Sequence, residues 1–190
     1  MMQKKVQIIS DGSLDLSQEL TKEKDIEVVP FYVSFDSETY QKEMVEVGVR
    51  EFYQEMVDHP TVFPKTSMPS VHDYYEVFEK YAKEQLPVIC ICITKKFSGS
   101  LQSATTAKDM ILEEYQDAQI TVIDSTVNTV LQGLYVLEAC RLRDMGLEYQ
   151  QIVDALLPIR ETGRIFFTIG SIDYLKHGGR IGRLAGIAAS

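Results

Sequence analysis

The run Val88-Ile89-Cys90-Ile91-Cys92-Ile93 and the polar segment that follows it, Thr94-Lys95-Lys96-Phe97-Ser98-Gly99-Ser100, constrain the fold more than any other stretch of the chain. Six consecutive apolar residues rich in β-branched side chains, too few for a buried helix, are the pattern of a strand covered on both faces. Polarity switches at Thr94, and from Leu101 the apolar residues Ala104, Ala107, Met110 and Ile111 recur at helical spacing. A buried strand that ends in a Ser-Gly-Ser turn opening a helix gathers free backbone N–H groups, hydroxyls and the positive end of a helix dipole in one place. Such a place suits an oxyanion.

The rest of the chain alternates strand and helix patterns around this unit. Val6 to Ser10 reads as a strand broken by Asp11-Gly12-Ser13, and Asp15 to Lys24 as a short helix. Glu27 to Phe35 is a strand region interrupted by Pro30, hence an edge or bent strand. Asp36 to Glu46 is polar and turn-like, and Val49, Phe52, Tyr53, Met56 and Val57 recur as a helical stripe. The prolines in Thr61 to Pro69 predict a stiff extended loop. Ser70 with Asp73 fits a capping box ahead of the stripe Val71, Tyr74, Tyr75, Phe78, Tyr81 and Ala82, an aromatic face that reads as core. Gln119 to Asp124 is a further strand. It completes a βαβ unit, which implies parallel pairing and a right-handed crossover. Val130 to Met145, closed by Gly146, and Tyr149 to about Glu161, with a kink or early stop at Pro158, are helices. Ile165 to Ile169 reads as a last strand, and Ser171 opens a helix running into His177. The expected class is α/β, a mostly parallel open sheet with helices on both faces. A boundary near Thr162-Gly163 divides residues 1–162 from the start of a second α/β domain, 163–190.

Composition removes several function classes. A net charge of −9 over 190 residues, with no Lys/Arg cluster, opposes nucleic acid and anionic membrane surfaces. An anionic ligand must therefore be captured by local donors. Three cysteines, two of them inside the buried strand, lack zinc-ligand spacing and read as small hydrophobes in a reducing compartment. No apolar run approaches the ~18 residues of a membrane span, and the N-terminus carries no signal-type apolar segment. The expectation is a soluble cytoplasmic protein.

Three strand ends share one chemistry: Ser10-Asp11-Gly12-Ser13, Phe97-Ser98-Gly99-Ser100 and Asp124-Ser125-Thr126. In an open parallel sheet ligands bind beyond the carboxyl ends of the strands, so neighbouring strands would place these turns on one rim, within reach of Thr66-Ser67. Turn and N-cap preferences alone also explain each of them. Hydrolase chemistry fits poorly, for there is no G-x-S-x-G elbow, and His59, His72 and His177 have no relay partner in the sequence. There is no Walker loop, G-x-G-x-x-G fingerprint, metal-ligand cluster or cofactor motif. Gly178-Gly179-Arg180 is a loosened turn carrying a guanidinium suited either to solvent or to an anion or partner. Two other readings stay open: a phosphotransfer or small-carbonyl kinase module acting as an enzyme itself, since such turns grip phosphates, and a purely structural domain.

Asp11-Gly12-Ser13 with Asp15, Thr66-Ser67-Met68-Pro69-Ser70, Phe97 to Ala104, Val122-Ile123-Asp124-Ser125 and Tyr174 to Ile181 stand in the order and spacing of the DegV family, which the chain resembles along essentially its whole length. The resemblance implies a two-domain α/β protein that holds a long-chain fatty acid and does no chemistry itself. A separate ATP-dependent fatty acid kinase subunit would phosphorylate the presented acid. Transient exchange of lipid with membranes is compatible with that role. Carried onto this chain, residues 1–162 would be the lipid head-group-binding domain. Thr66 and Ser98 would be the principal carboxylate donors, Ser67, Gly99 and Ser100 would support them, and Arg180 would be a docking residue for the kinase. No catalytic residue and no cofactor is implied. Gly12 stands where the family carries Ser or Thr, which removes one hydroxyl from the first turn. The family continues well beyond the Gly-Gly-Arg-Ile motif, so these 190 residues alone are expected to hold lipid weakly and to leave Ile165–Ile169 and Ile181–Ala189 partly uncovered.

Overall fold

The computed structural model describes residues 5–166, 168, 173 and 177–179. Alternation of buried side chains builds its centre. Strands β1 (Gln7–Asp11), β2 (Ile26–Val29), β6 (Val88–Cys92) and β7 (Ile120–Asp124) form a parallel sheet in the order β2-β1-β6-β7. Ile8 stands opposite Ile26 on one side and Ile89 on the other, and Ile91 opposite Ile123. Every residue of β1 and β6 is buried, as central strands covered on both faces must be.

Successive residues serve opposite faces. Ile8, Ile89, Ile91 and Ile123 pack with Tyr135, Val136, Ala139, Ile152 and Leu156 of α5 (Thr129–Asp144) and α6 (Tyr149–Ile159). Ile9, Val88, Cys90, Cys92 and Ile120 pack with Tyr74, Phe78, Ala104, Ala107 and Ile111 of α3 (Val71–Lys83) and α4 (Ser100–Glu114). Burying one such side chain is worth about 1.5–3 kcal/mol, so each face is a major stabilising layer. The aromatic stripe of α3 is core, as its spacing predicts. Its capping box forms: Ser70 Oγ accepts the Asp73 N–H at 3.1 Å, and Asp73 Oδ2 accepts the Ser70 N–H at 2.8 Å. Pro158 lies inside α6, which ends one residue later.

The chain divides into two compact units, Met1–Val29 with Pro69–Ile165, and Pro30–Met68 with Phe166–Ser190. The parallel sheet and the helices α3 to α6 belong to the first, as does the short helix α1 (Gln18–Glu23). In the second, β3 (Tyr32–Ser34) pairs antiparallel with β4 (Gln41–Lys42) and with β5 (Lys65–Ser67), and α2 (Val49–Asp58) sets Phe52 against Phe35 with ring centroids 5.1 Å apart. Three expectations are corrected here. The strand region around Pro30 is two strands in two different sheets, because proline cannot donate to a ladder and the direction changes there. The segment expected as an extended loop carries the edge strand β5 between Pro64 and Pro69, and the turn-like stretch before α2 holds β4. Of the strand expected over 165–169, Ile165, Phe166 and Thr168 are described and are not in a strand, while the helix expected from Ser171 lies largely outside the described residues, of which Asp173 and His177 are helical.

A tight contact fixes the turn after β1. That turn is a 3-10 segment, Gly12–Leu14, lying against α5. A Cβ on Gly133 would come within 2.3 Å of the Leu14 carbonyl oxygen and 2.8 Å of the Leu16 side chain. Alanine improves intrinsic helix propensity by about 1 kcal/mol. Even so, Gly133→Ala is expected to lower stability by about 1–3 kcal/mol through backbone displacement, read as a reduced midpoint in urea. The cysteines give a second expectation. Cys90, Cys92 and Cys140 are all buried and free. The hydrogen bond with Cys90 and burial raise the Cys92 thiol, and burial pushes Cys140 up to about 11. A thiol reagent such as Ellman's should therefore label all three only on unfolding. Rapid labelling of the native protein would contradict this packing.

Candidate functional site

Because β1, β6 and β7 are adjacent and parallel, the condition for a common rim is met and their three carboxyl-end turns share it. The residue at its centre is Asp11, the last of β1 and completely buried. Its Oδ2 accepts the Ile93 N–H at 2.9 Å and the Ser100 hydroxyl at 2.7 Å. Its Oδ1 accepts Gln132 Nε2 at 2.8 Å and the Ser13 N–H at 3.3 Å. Behind Ser100 the Tyr74 hydroxyl lies 2.6 Å from Oγ and 3.7 Å from Cys92 Sγ. Gln132 also donates to Ser10 Oγ at 3.0 Å, which in turn donates to the Ile91 carbonyl at 2.8 Å. Burial raises the Asp11 carboxyl above its ordinary range, and the bonds from Ser100, Gln132, Ile93 and Ser13 oppose that rise. Burial likewise lifts the Tyr74 phenol well above its usual value.

The turn between β6 and α4 is the part of the rim that faces outward. Phe97 and Ser98 both direct their N–H groups to the Thr94 carbonyl, at 3.0 and 3.3 Å. Ser98 Oγ then accepts the Ser100 N–H at 3.2 Å, which leaves the Ser98 hydroxyl hydrogen free to donate outward. Ser98 is partly buried and Gly99 exposed. Gln102 and Ser103 direct their N–H groups to the Gly99 carbonyl, at 2.9 and 3.1 Å, while the Gly99 and Leu101 amides have no acceptor among the described residues. These donors sit at the positive end of a 15-residue helix.

On the third side, Thr94 N–H donates to the Val127 carbonyl at 3.0 Å, which ties the β6–α4 and β7–α5 connections together. Ser125 is buried and its hydroxyl also closes on the Val127 carbonyl, at 2.9 Å. Thr126 and Thr129 both stand in the left-handed region, φ 63° and 51°. That conformation costs a β-branched residue on the order of 1–3 kcal/mol and persists where neighbours over-determine it.

The predicted site residues divide by placement. Ser98 and Gly99 present donors on the rim. Ser100 does not face outward: it is completely buried, and its hydroxyl is committed to Asp11 and Tyr74. Thr66 and Ser67 lie on β5 in the second unit, both exposed, paired with Val33 and Tyr32 of β3. Their hydroxyls have no partner among the described residues. Arg180 lies outside the described residues. His59 and His72 are exposed beside Glu55 and Glu76, and His177 stacks on Phe63 at 3.8 Å. Sequence reasoning missed Tyr74 and Gln132. A usable signal existed for each, since a tyrosine in a buried stripe needs a partner for its hydroxyl, and Gln132 is a polar residue on the face of α5 that carries Val136 and Ala139.

The chain is thus an open parallel α/β protein, the architecture in which ligands, where there are any, bind beyond the carboxyl ends of the strands. The model of the DegV family, described as uncharacterised proteins, matches residues 5–190, and the chain belongs to that family. A DegV domain-containing protein of Clostridium perfringens is 30% identical over 182 residues, covering 96% of this chain and 63% of the relative. A solved structure from Eubacterium ventriosum, described as a fatty acid (stearic acid)-binding protein, is 47% identical with a TM-score of 0.90, covering 94% of this chain and 61% of that one. A Thermus thermophilus DegV protein, described through its fatty acid binding, is 28% identical with a TM-score of 0.77, covering 93% and 61%. The chain thus spans less than two thirds of the length of these relatives. Among the described residues no helix is long and apolar enough to cross a membrane, and no cluster of His, Cys, Asp or Glu could hold a metal ion.

The raised Asp11 carboxyl makes a signed prediction. A carboxyl whose folded pKa exceeds its unfolded value contributes stability that is fully present below the unfolded pKa, about 4, and lost as the pH rises through the folded one. The stability difference between the wild type and Asp11→Asn should therefore shrink as the pH is raised from about 4 to neutrality, measured by urea unfolding. A difference that grows with pH would mean that the hydrogen bonds outweigh burial.

Proposed function

We propose that this chain binds a long-chain fatty acid through its carboxylate, held by serine and threonine hydroxyls and backbone amides, and presents it to a separate ATP-dependent fatty acid kinase subunit without acting on it. The observation that carries the reading is the Ser98-Gly99 turn at the start of α4, with a hydroxyl and two amides free to donate, in a chain 47% identical to a protein described as binding stearic acid. The helix dipole adds about 0.3–1 kcal/mol for an anion at that position. With a net charge of −9 the protein offers no long-range attraction, so these local donors must do the capturing.

Ser98 and Gly99 are the donors of this unit, and Ser100 supports them from behind the turn rather than by direct contact. Thr66 and Ser67 enter through the family motif and their exposed hydroxyls on β5. Arg180 enters as the kinase-docking residue through the Gly-Gly-Arg-Ile motif alone. A cytoplasmic location and exchange of lipid with membranes belong to the same reading.

Titration with stearate tests the site. Loss of one hydrogen bond to a charged group costs about 1.5–3 kcal/mol, so Ser98→Ala and Thr66→Ala should each weaken binding roughly tenfold or more. A double-mutant cycle should show coupling between them, and because variants are compared with one another the measurement reads even when the wild-type affinity is modest. Unchanged stearate affinity in the double variant would remove both residues from the site. Transfer of phosphate from ATP to stearate should require an added kinase subunit. Turnover of ATP by this chain alone would establish the enzyme reading instead.

A further inference from the structure

We propose that Asp11 is a positioning residue for the carboxylate-binding turn: it holds the Ser98-Gly99-Ser100 donors in place from inside the core, with Gln132 as its counterpart on α5. The inference rests on the fatty acid reading for what the turn binds, but its geometry stands by itself. One oxygen of Asp11 grips both ends of the β6–α4 connection, the Ile93 N–H where the strand finishes and the Ser100 hydroxyl where the helix begins. Everything between, residues 94–99, is a loop closed by that single atom. Ser100 passes the constraint on through its own N–H to Ser98 Oγ, which orients the hydroxyl that faces outward. The other oxygen of Asp11 is anchored by Gln132 and by the Ser13 amide of its own turn. Asp11, Ser10, Ser100, Tyr74 and Gln132 are all completely buried, so water cannot substitute for any of them without opening the core.

The network also explains why the residue is an aspartate. Four donors converge on two oxygens, and a carboxylate accepts at both ends whereas an amide accepts at one. In Asp11→Asn the amide nitrogen must face either the Ser13 N–H or the Ile93 N–H, donor against donor. The Gln132 carbonyl oxygen, buried and without a partner among the described residues, gives the exchange a natural remedy. With Gln132→Glu added, a carboxylate on α5 can accept from the amide nitrogen introduced at position 11, and the oxygen of that same amide keeps the bonds from Ile93 and Ser100. A second effect of Asp11 opposes positioning: when ionised, its charge behind the turn repels a bound anion. The two make opposite predictions, since loss of positioning weakens stearate binding and loss of repulsion strengthens it.

The test compares wild type, Asp11→Asn, and Asp11→Asn with Gln132→Glu by backbone amide NMR without ligand and by stearate titration. In Asp11→Asn the amide signals of Ile93, Ser98, Gly99 and Leu101 should shift and exchange faster, with stearate affinity reduced at least tenfold. The double variant should restore the turn amides and most of the affinity. Unmoved turn amides, an affinity equal to or tighter than wild type, or a double variant that regains the melting temperature but neither the amides nor the affinity would overturn the proposal. Should Asp11→Asn fail to fold, Ser100→Ala, which cuts one bond of the network, must disturb the same amides in a folded protein, and undisturbed amides there count against the proposal. If the wild type does not bind stearate, the fatty acid reading falls while the amide comparison still decides the role of Asp11.

Discussion

A carboxyl group with no access to water tolerates its position only where donors converge on it, and Asp11 is placed where they do. Leaving a buried polar group without partners costs several kcal/mol, more than any single contact on the rim returns. The donors come from separate parts of the first unit: the turn after β1, the end of β6, the first residue of α4 and the first turn of α5. They meet only if β1 and β6 are neighbours in parallel, and only if α5 comes close enough for Gln132 to reach. Gly133, whose missing side chain admits the Leu14 carbonyl, permits that approach. The sheet order, one glycine and the buried acid thus express a single constraint.

The consequence at the surface is a division of labour between two serines two residues apart. Ser100 turns its hydroxyl inward to Asp11 and Tyr74, whereas Ser98 accepts one amide and keeps its own hydrogen for the outside. A rigid inner layer therefore supports an outer layer of available hydroxyl and amide donors at the head of α4. In an acidic protein the proposed capture of a carboxylate relies on such a short-range arrangement, because preorganised donors do not have to be ordered when the ligand arrives.

Much of the fold was legible in the chain. The continuous apolar runs of β1 and β6, the alternation of side chains between two faces and the capping box at Ser70 are local signals, and each forms as its pattern predicts. Pro30 was legible as a break but not as a change of sheet, since the pairing of β3 with β5 depends on residues far downstream. Ser100 was misplaced for a related reason. Its hydroxyl looks identical to that of Ser98 in the sequence, and which one points inward is decided by Asp11, 89 residues away. Tyr74 and Gln132 carried a readable sign, a polar atom on a buried helical face, but not the identity of the partner.

By itself, then, the sequence determined the strands and helices of the parallel sheet unit and the chemical type of the rim, because hydrophobic periodicity and turn chemistry act over a few residues. The motif order was sufficient to indicate the family. Only the tertiary structure decided which donors remain available and which are consumed internally. That choice depends on distances between segments far apart in the chain, set by the packing of β1, β6, α4 and α5 against one another, and no local pattern encodes a distance.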